Sequence, residues 1–375
     1  FPHNANYIVA ENASSLTIGK STNTANITMD AATTVAGPIT VYGGTINIDA
    51  NLTSTATTGT GISLNGQKIT QAAGVSAITS GSNIDYLVTN SPWTAAADIG
   101  ISLNSANGTK ATINAQGGNI VINSAFATTG TNNSASNQEF GISIASTDIL
   151  TTNTGTISIN GDIFNNASTT GQFSWGVDLR AGTVIRTASG AINITGRGGK
   201  TLGNSRGIAS NTTNLQVLSS SGAITFNDLS PTGNTSYNGM YFRPSSANAI
   251  KIGADGSTVA SSSSNISFNA DKITFEQGDV QVSTSGKVSV APEGASFGAE
   301  FSNTSLNLSS NVSELVLGKS TNTQNITLGR ATTIAGPITA FGGNISVNEN
   351  LNTNAGAANG DILLKSSGDI ILAAF

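Results

Sequence analysis

The sequence predicts an all-β fold, a parallel β-solenoid with roughly three short strands per coil. Three observations lead there. One paragraph of sequence occurs twice, short glycine-led blocks of alternating apolar residues recur in a cycling order, and charged residues fill only 9% of the 375 positions, too few for the solvated faces of amphipathic helices.

The duplicated paragraph reads LTIGKSTNTANITMDAATTVAGPITVYGGTINI from Leu16 and returns as LVLGKSTNTQNITLGRATTIAGPITAFGGNISV from Leu315, so Gly19 and Gly318 stand 299 residues apart and residues 16–52 recur at 315–351. Its apolar pairs, Ile27 with Met29, Ile39 with Val41 and Ile46 with Ile48, are answered by Ile326 with Leu328, Ile338 with Ala340 and Ile345 with Val347. Self-similarity at a fixed period marks stacked repeats. Residues 1–375 are therefore expected to form one continuous solenoid, a little more than one period of a longer array.

The first strand type is a glycine, one small or polar residue, then two apolar residues flanking one that is usually polar. It occurs at Gly44, Gly118, Gly155, Gly190, Gly222, Gly286 and Gly343. Alternation with period two puts both apolar residues on one face, and glycine with asparagine is expected to supply the positive φ of a tight corner. The second type, glycine-apolar-x-apolar, begins at Gly61, Gly100, Gly141, Gly176, Gly207 and Gly239, at intervals of 31 to 41 residues. Between them sits a third apolar touch, such as Ile149 with Leu150, Val184 with Ile185, or Leu215 with Val217. This order cycles, so each strand stacks on its own equivalent one coil later. Coils of roughly 25 to 40 residues at about 4.8 Å per stacked strand give about ten to fifteen coils and a rod on the order of 50 to 70 Å, expected to wind right-handed.

An antiparallel sandwich would show similar alternation, but sandwich cores lean on Trp and Tyr anchors, and aromatic residues are only 5% here. Residues 128–139 and 255–264 read as corner loops. Asn123, Asn160, Asn227 and Asn348 follow apolar pairs, where they either form side-chain ladders between coils or serve as turn residues facing water. Asn-x-Ser/Thr triplets at Asn26, Asn51, Asn193 and Asn325 are read as structural.

A net charge of −5 leaves no footprint for nucleic acid, and no apolar run is long enough to span a bilayer. The opening residues lack the pattern of a signal peptide. With no Cys and His3 alone, Ser-His, Cys-His and His-rich metal arrangements cannot be assembled. The acids Asp49, Asp98, Asp148, Asp162, Asp178, Asp228, Glu276 and Asp279 are scattered, and no calcium loop or calcium-lined nonapeptide is present. An enzyme is not expected, nor a catalytic, cofactor or metal site. The chemistry that does concentrate is aromatic and cationic: Phe173, Trp175 and Arg180 in GQFSWGVDLRAG, and Tyr237, Tyr241, Phe242 and Arg243 in SYNGMYFRPSS. Both segments carry the second strand type, so stacking brings them to one side of the rod two coils apart. They form either an exposed patch for glycan or partner contact, or packing beneath corner loops.

The pattern GVDLRAGTVIRTASGAINITGRGG from Gly176 resembles the repeats of filamentous-haemagglutinin-like proteins and of the giant repetitive surface adhesins of gram-negative bacteria, including gliding bacteria. The duplicated TNTANIT and AGPITVYGG, and GDILLKSSGDIIL from Gly360, are similar in the same way. The resemblance implies a solenoid architecture, an extracellular place at the cell surface, and dealings with outer-membrane secretion machinery and with neighbouring repeats of the same chain. Two functions follow as expectations: a shaft segment of a long surface fibre, or a glycan- or surface-binding module acting through the aromatic patch.

Overall fold

The computed structural model describes residues 9–89, 99–104, 109–125, 138–163, 173–199, 204–229, 239–247, 249–353 and 360–373. Among these residues there is no helix, and strands of two to nine residues follow one another in a three-step cycle. The first strand of each cycle joins a 13-stranded sheet running from Leu16–Ile18 to Ile362–Ser366. The second joins a nine-stranded sheet from Ile27–Met29 to Ile273–Phe275, continued by four strands from Phe301–Ser302 to Ile370–Leu372. The third joins a ten-stranded sheet from Thr33–Val35 to Leu306–Leu308, continued by Thr332–Thr333 and Leu351–Asn352. The pairings are parallel, each strand against its equivalent one coil away. Thirteen coils at about 4.8 Å make a rod of about 60 Å. This is the expected β-solenoid.

The apolar pairs are its interior. Ile120, Ile122, Ile157, Ile159, Ile192, Ile194, Ile224 and Phe226 are all fully buried, and the register sets like on like: Ile157 beside Ile192, Ile159 beside Ile194. Burying each such side chain stabilises the fold by about 1.5 to 3 kcal/mol. Tyr86 also points inward. Its hydroxyl donates to Gln71 Oε1 at 2.8 Å, and Gln71 Nε2 donates to the carbonyls of Val75 and Thr112, so a satisfied polar bridge crosses the core. Burial pushes the Tyr86 phenol far above its usual range.

The glycines lead their strands for a reason other than the expected one. Gly118, Gly155, Gly190, Gly222 and Gly286 do not have positive φ. Their corners stack backbone on backbone, so that a Cβ on Gly190 would overlap the carbonyl of Gly155, and one on Gly222 that of Gly190. A buried hydroxyl seals each corner from within. Thr151 donates to the carbonyl of Gly118 and Thr187 to that of Gly155, both at 2.7 Å, and Thr187 accepts the amide of Gly190 at 3.1 Å.

Strand type does not assign a sheet. The blocks at Gly118, Gly155, Gly190, Gly222 and Gly286 lie on the first sheet, but those at Gly44 and Gly343 precede strands of the second. The tetrapeptide GISL lies on the first sheet at Gly61 and on the second at Gly100. Both faces ask for the same alternation, so a block alone does not choose between them.

The asparagine ladder exists in two short runs. Asn160 Nδ2 donates to Asn123 Oδ1 at 2.8 Å and Asn269 Nδ2 to Asn227 Oδ1 at 2.9 Å, with Thr195 standing between them in the same file. Asn348 takes part in neither. A longer ladder runs at the strand entrances, where an asparagine carbonyl accepts the backbone N–H of the next coil: Asn26 from Thr45, Asn83 from Asn119, Asn119 from Thr156, Asn325 from Asn344 and Asn344 from Asp369.

Coils come in two widths. Successive inward residues Leu16, Ile39, Ile62 and Ile84 are 22 to 23 residues apart. From Ile84 through Ile120, Ile157, Ile192 and Ile224 to Ile266 the step is 32 to 42, and thereafter it returns to 22 to 27. In all five wide coils extra residues enter on the way from the first sheet to the second. Of the expected loop at 128–139, residues 128–137 lie outside the described residues, and Glu139 belongs to the strand Gln138–Ala145 and is fully buried. At 255–264, Asp255 organises the connection. Burial pushes its carboxyl up, but the amides of Val259, Ser257 and Thr258 and the Ser257 hydroxyl outweigh that and hold it far below the usual carboxylate range.

Candidate functional site

In the wide coils the first and second sheets touch through glycine. A Cβ on Gly161 would overlap the carbonyl of Gly176, and one on Gly196 that of Gly207. Strands Ile157–Asp162 and Phe173–Leu179 pack against each other there, and beyond the pinch Ile163, Glu139, Ser174 and Ser205 are buried. Ser174 donates to Glu139 Oε2 at 3.2 Å, and Ser205 donates to the carbonyl of Gly199 at 2.6 Å.

The residues just before the strand-leading glycines of the second sheet fall into one file, with Phe140 beside Trp175 and Trp175 beside Arg206. The next file sets Asp178 beside Ala209 and Ala209 beside Tyr241. Trp175 and Tyr241 thus share a sheet two coils apart, as the spacing requires. Arg206 lies between them, its guanidinium carbon 5.0 Å from the Trp175 ring centre and 3.6 Å from that of Tyr241. The ladder continues both ways: Trp175 meets Phe140 at 5.2 Å, Arg180 lies over Phe140 at 5.1 Å, and the Tyr241 hydroxyl donates to Glu276 Oε2 at 2.8 Å.

Electrostatics tie the ladder together. Asp178 is 2% exposed; burial pushes its carboxyl up, opposed by Arg180, Ser143 and Arg206, and Arg180 Nε donates directly to it. Burial lowers the Arg206 guanidinium, opposed by Tyr241, Glu276 and Asp178. Burial also raises the Tyr241 phenol, helped by Glu276. The cation is held where opposite charge and two rings flank it.

Of the residues singled out from sequence, Trp175, Arg180 and Tyr241 are in the ladder. Trp175 and Arg243 are half-buried, and Tyr241 is 9% exposed with one face occupied by Arg206. Phe242 is not a surface residue. It is fully buried, 5.8 Å from Phe275 and edge-on to Phe226 and Phe268, because alternation turns it inward when Tyr241 faces out. Tyr237 and the side chain of Phe173 lie outside the described residues.

Phe140 and Arg206 are not among the residues the sequence singles out, and Glu276 stands there only as one of the scattered acids. Reading the residue before each glycine as a column, Phe140 before Gly141, Trp175 before Gly176, Arg206 before Gly207, finds the ladder. The acids are dispersed among partners: Asp162 faces Arg197 at 3.4 Å, and Asp279 holds Arg330 through two contacts of 2.7 and 2.8 Å. Asp98 lies outside the described residues. Among the described residues no three of His, Cys, Asp and Glu converge on a metal-sized site.

No protein-family model, curated protein or solved structure matches this chain.

Proposed function

We propose that the chain is a shaft segment of a long, repetitive extracellular fibre of the gram-negative adhesin kind, whose task is reach and stiffness. One observation carries this reading. The second copy of the duplicated paragraph occupies the same three faces ten coils farther on, in the 13-stranded sheet and in the four- and two-stranded continuations of the other two, with the same hydrogen bonds: Asn23 to the Tyr42 carbonyl and Asn322 to the Phe341 carbonyl, both at 2.8 Å, and Thr33 to Ala31 and Thr332 to Arg330, both at 3.0 Å. Such a unit lengthens a rod by repetition alone. Deleting whole 299-residue units should shorten the fibre by about 48 Å each and weaken attachment to surfaces gradually. Abrupt loss of attachment on deleting one unit would overturn the reading.

The half-buried Trp175, with Arg180 just past the end of its strand and Arg243 on the same sheet, favours a second reading in which the wide coils bind glycan. A glycan array with the intact protein separates the two. A specific hit lost in Trp175→Ala with the melting curve unchanged supports binding, and a blank array with an intact fold supports the shaft.

A further inference from the structure

Both copies of the duplicated paragraph carry an outward aromatic residue near the end of the first-sheet strand, Tyr42 in Ile39–Tyr42 and Phe341 in Ile338–Gly342. What the next coil sets beside that ring differs. Register puts Lys365 beside Phe341, and its ammonium lies 5.6 Å from the ring centre. Register puts Asn65 beside Tyr42, and Asn65 Nδ2 turns along its own strand to donate to Ser63 Oγ at 2.9 Å. Among the described residues no cation stacks on the half-buried Tyr42, and its hydroxyl makes no hydrogen bond.

Beside this ring lies a cavity of about 320 Å³, at the small end of the range of small-molecule sites, lined by Tyr42, Asn65, Gln67, Thr89 and the loop 21–24. None of its lining residues carries a charge. The Gln67 side chain makes no hydrogen bond among the described residues, and the Asn65 side-chain carbonyl accepts none. The cavity does not depend on what precedes Leu16. In the second copy the coil before the loop reaches it through Ala295 and Ser296, which meet Thr321, Asn322 Oδ1 and the Thr323 amide. Asn322 Nδ2 reaches the other way, to the Phe341 carbonyl, as Asn23 does to that of Tyr42. A coil before Leu16 would therefore cover the far side of the loop and leave the Tyr42 side open.

We propose that this corner is a binding site for one neutral pyranose ring of a glycan. A pyranose has an apolar C–H face and a rim of hydroxyls, and an aromatic ring edged with amides and hydroxyls matches both. Its C–H face would lie on the Tyr42 ring. Gln67 would offer a donor and an acceptor to neighbouring sugar hydroxyls, and the Tyr42 hydroxyl, the Asn65 carbonyl and the Thr89 hydroxyl would take others. Sugar hydroxyls need no charged partner, whereas a carboxylate or sulfate would meet no cation in this lining. In the second copy Lys365 occupies the ring, so Phe341 makes no equivalent site. The site stands apart from the Trp175 ladder and adds to a shaft a contact that stiffness does not require.

The test is saturation-transfer NMR on the intact chain with methyl β-glucoside, methyl β-galactoside and methyl N-acetyl-β-glucosaminide. Millimolar affinity is expected of a single ring, too weak to survive the washing of a glycan array. Saturable transfer to at least one of the three should appear, and Gln67→Ala should weaken it at least about fivefold while melting like the parent, because that side chain bonds nothing among the described residues. Asn65→Lys, which gives Tyr42 the cap that Lys365 gives Phe341, should abolish it with the fold intact. Trp175→Ala should leave it unchanged, so this site and the wide-coil reading can fail separately, and fibre length tests the shaft without reference to either. Four results would overturn the proposal: no saturable transfer at tens of millimolar sugar, unchanged affinity in Asn65→Lys, loss in Trp175→Ala instead, or glucuronate binding as tightly as the neutral glucoside.

Discussion

Lean coils at the two ends of the rod and wide coils between Ile84 and Ile266 share one interior but manage their outer faces differently. In the lean coils the corners are short, and backbone stacking with an asparagine or hydroxyl at each bend suffices. In the wide coils the strands lengthen, up to the nine residues of Asn204–Thr212, and the first and second sheets run on past their glycine pinch. That extra width carries the buried ionic groups Glu139, Asp178, Arg206 and Asp228, which need partners that a lean coil lacks. A solenoid can add chemistry at one corner without disturbing the inward file, since each coil contacts only its neighbours.

The largest effect should be insensitive to coil width. Ile194→Asp in a wide coil and Leu317→Asp in a lean one each bury an unpaired carboxylate in the same sheet, and each should cost on the order of several kcal/mol in denaturant melts. If one of them melts like the parent, the shared interior is wrong.

Next come the corners. Gly190→Ala should destabilise by about 2 to 4 kcal/mol, because its methyl meets the Gly155 carbonyl and a backbone must move. Gly59→Ala, at φ 70° with nothing nearby, should cost about 1 kcal/mol. Equal losses would show that backbone conformation, rather than close approach, selects these glycines.

The outer faces should then separate the two regions. Arg206→Ala removes a buried cation from between two rings and should cost about 1 to 3 kcal/mol. Arg330→Ala in a lean coil breaks a partly exposed pair with Asp279 and should cost no more than about 1 kcal/mol. Thermal melts of both variants in the intact chain rank them.

The smallest effect is a pH dependence. Burial raises the folded-state pKa of Asp178 above its unfolded value of 3.8, so between 3.8 and that raised value the folded state holds the extra proton. Its contribution to stability is therefore complete below pH 3.8 and is lost as pH rises through the folded value. Asp85, raised mainly by burial and lowered by Thr60, acts in the same direction. Comparing the pH dependence of melting in Asp178→Asn and in the parent isolates the first contribution. A variant whose curve parallels the parent's would show that Asp178 titrates normally.

Alternation with period two, recurring in a fixed order, determined by itself that the chain is all β, that its strands stack in parallel, and that pairs such as Ile192 with Ile194 face inward. These are local properties: every coil states them again, and a one-residue slip would turn the whole apolar file outward. The tertiary structure alone decided which sheet each block joins, since GISL serves two of them, and why the corner glycines are needed. It also decided the fate of the middle aromatics. Trp175 and Tyr241 are 66 residues apart in the chain, and their meaning rests on Arg206 from the coil between them. Their neighbourhood is set by the register of stacked coils of unequal length, a long-range quantity that no single block of the sequence carries.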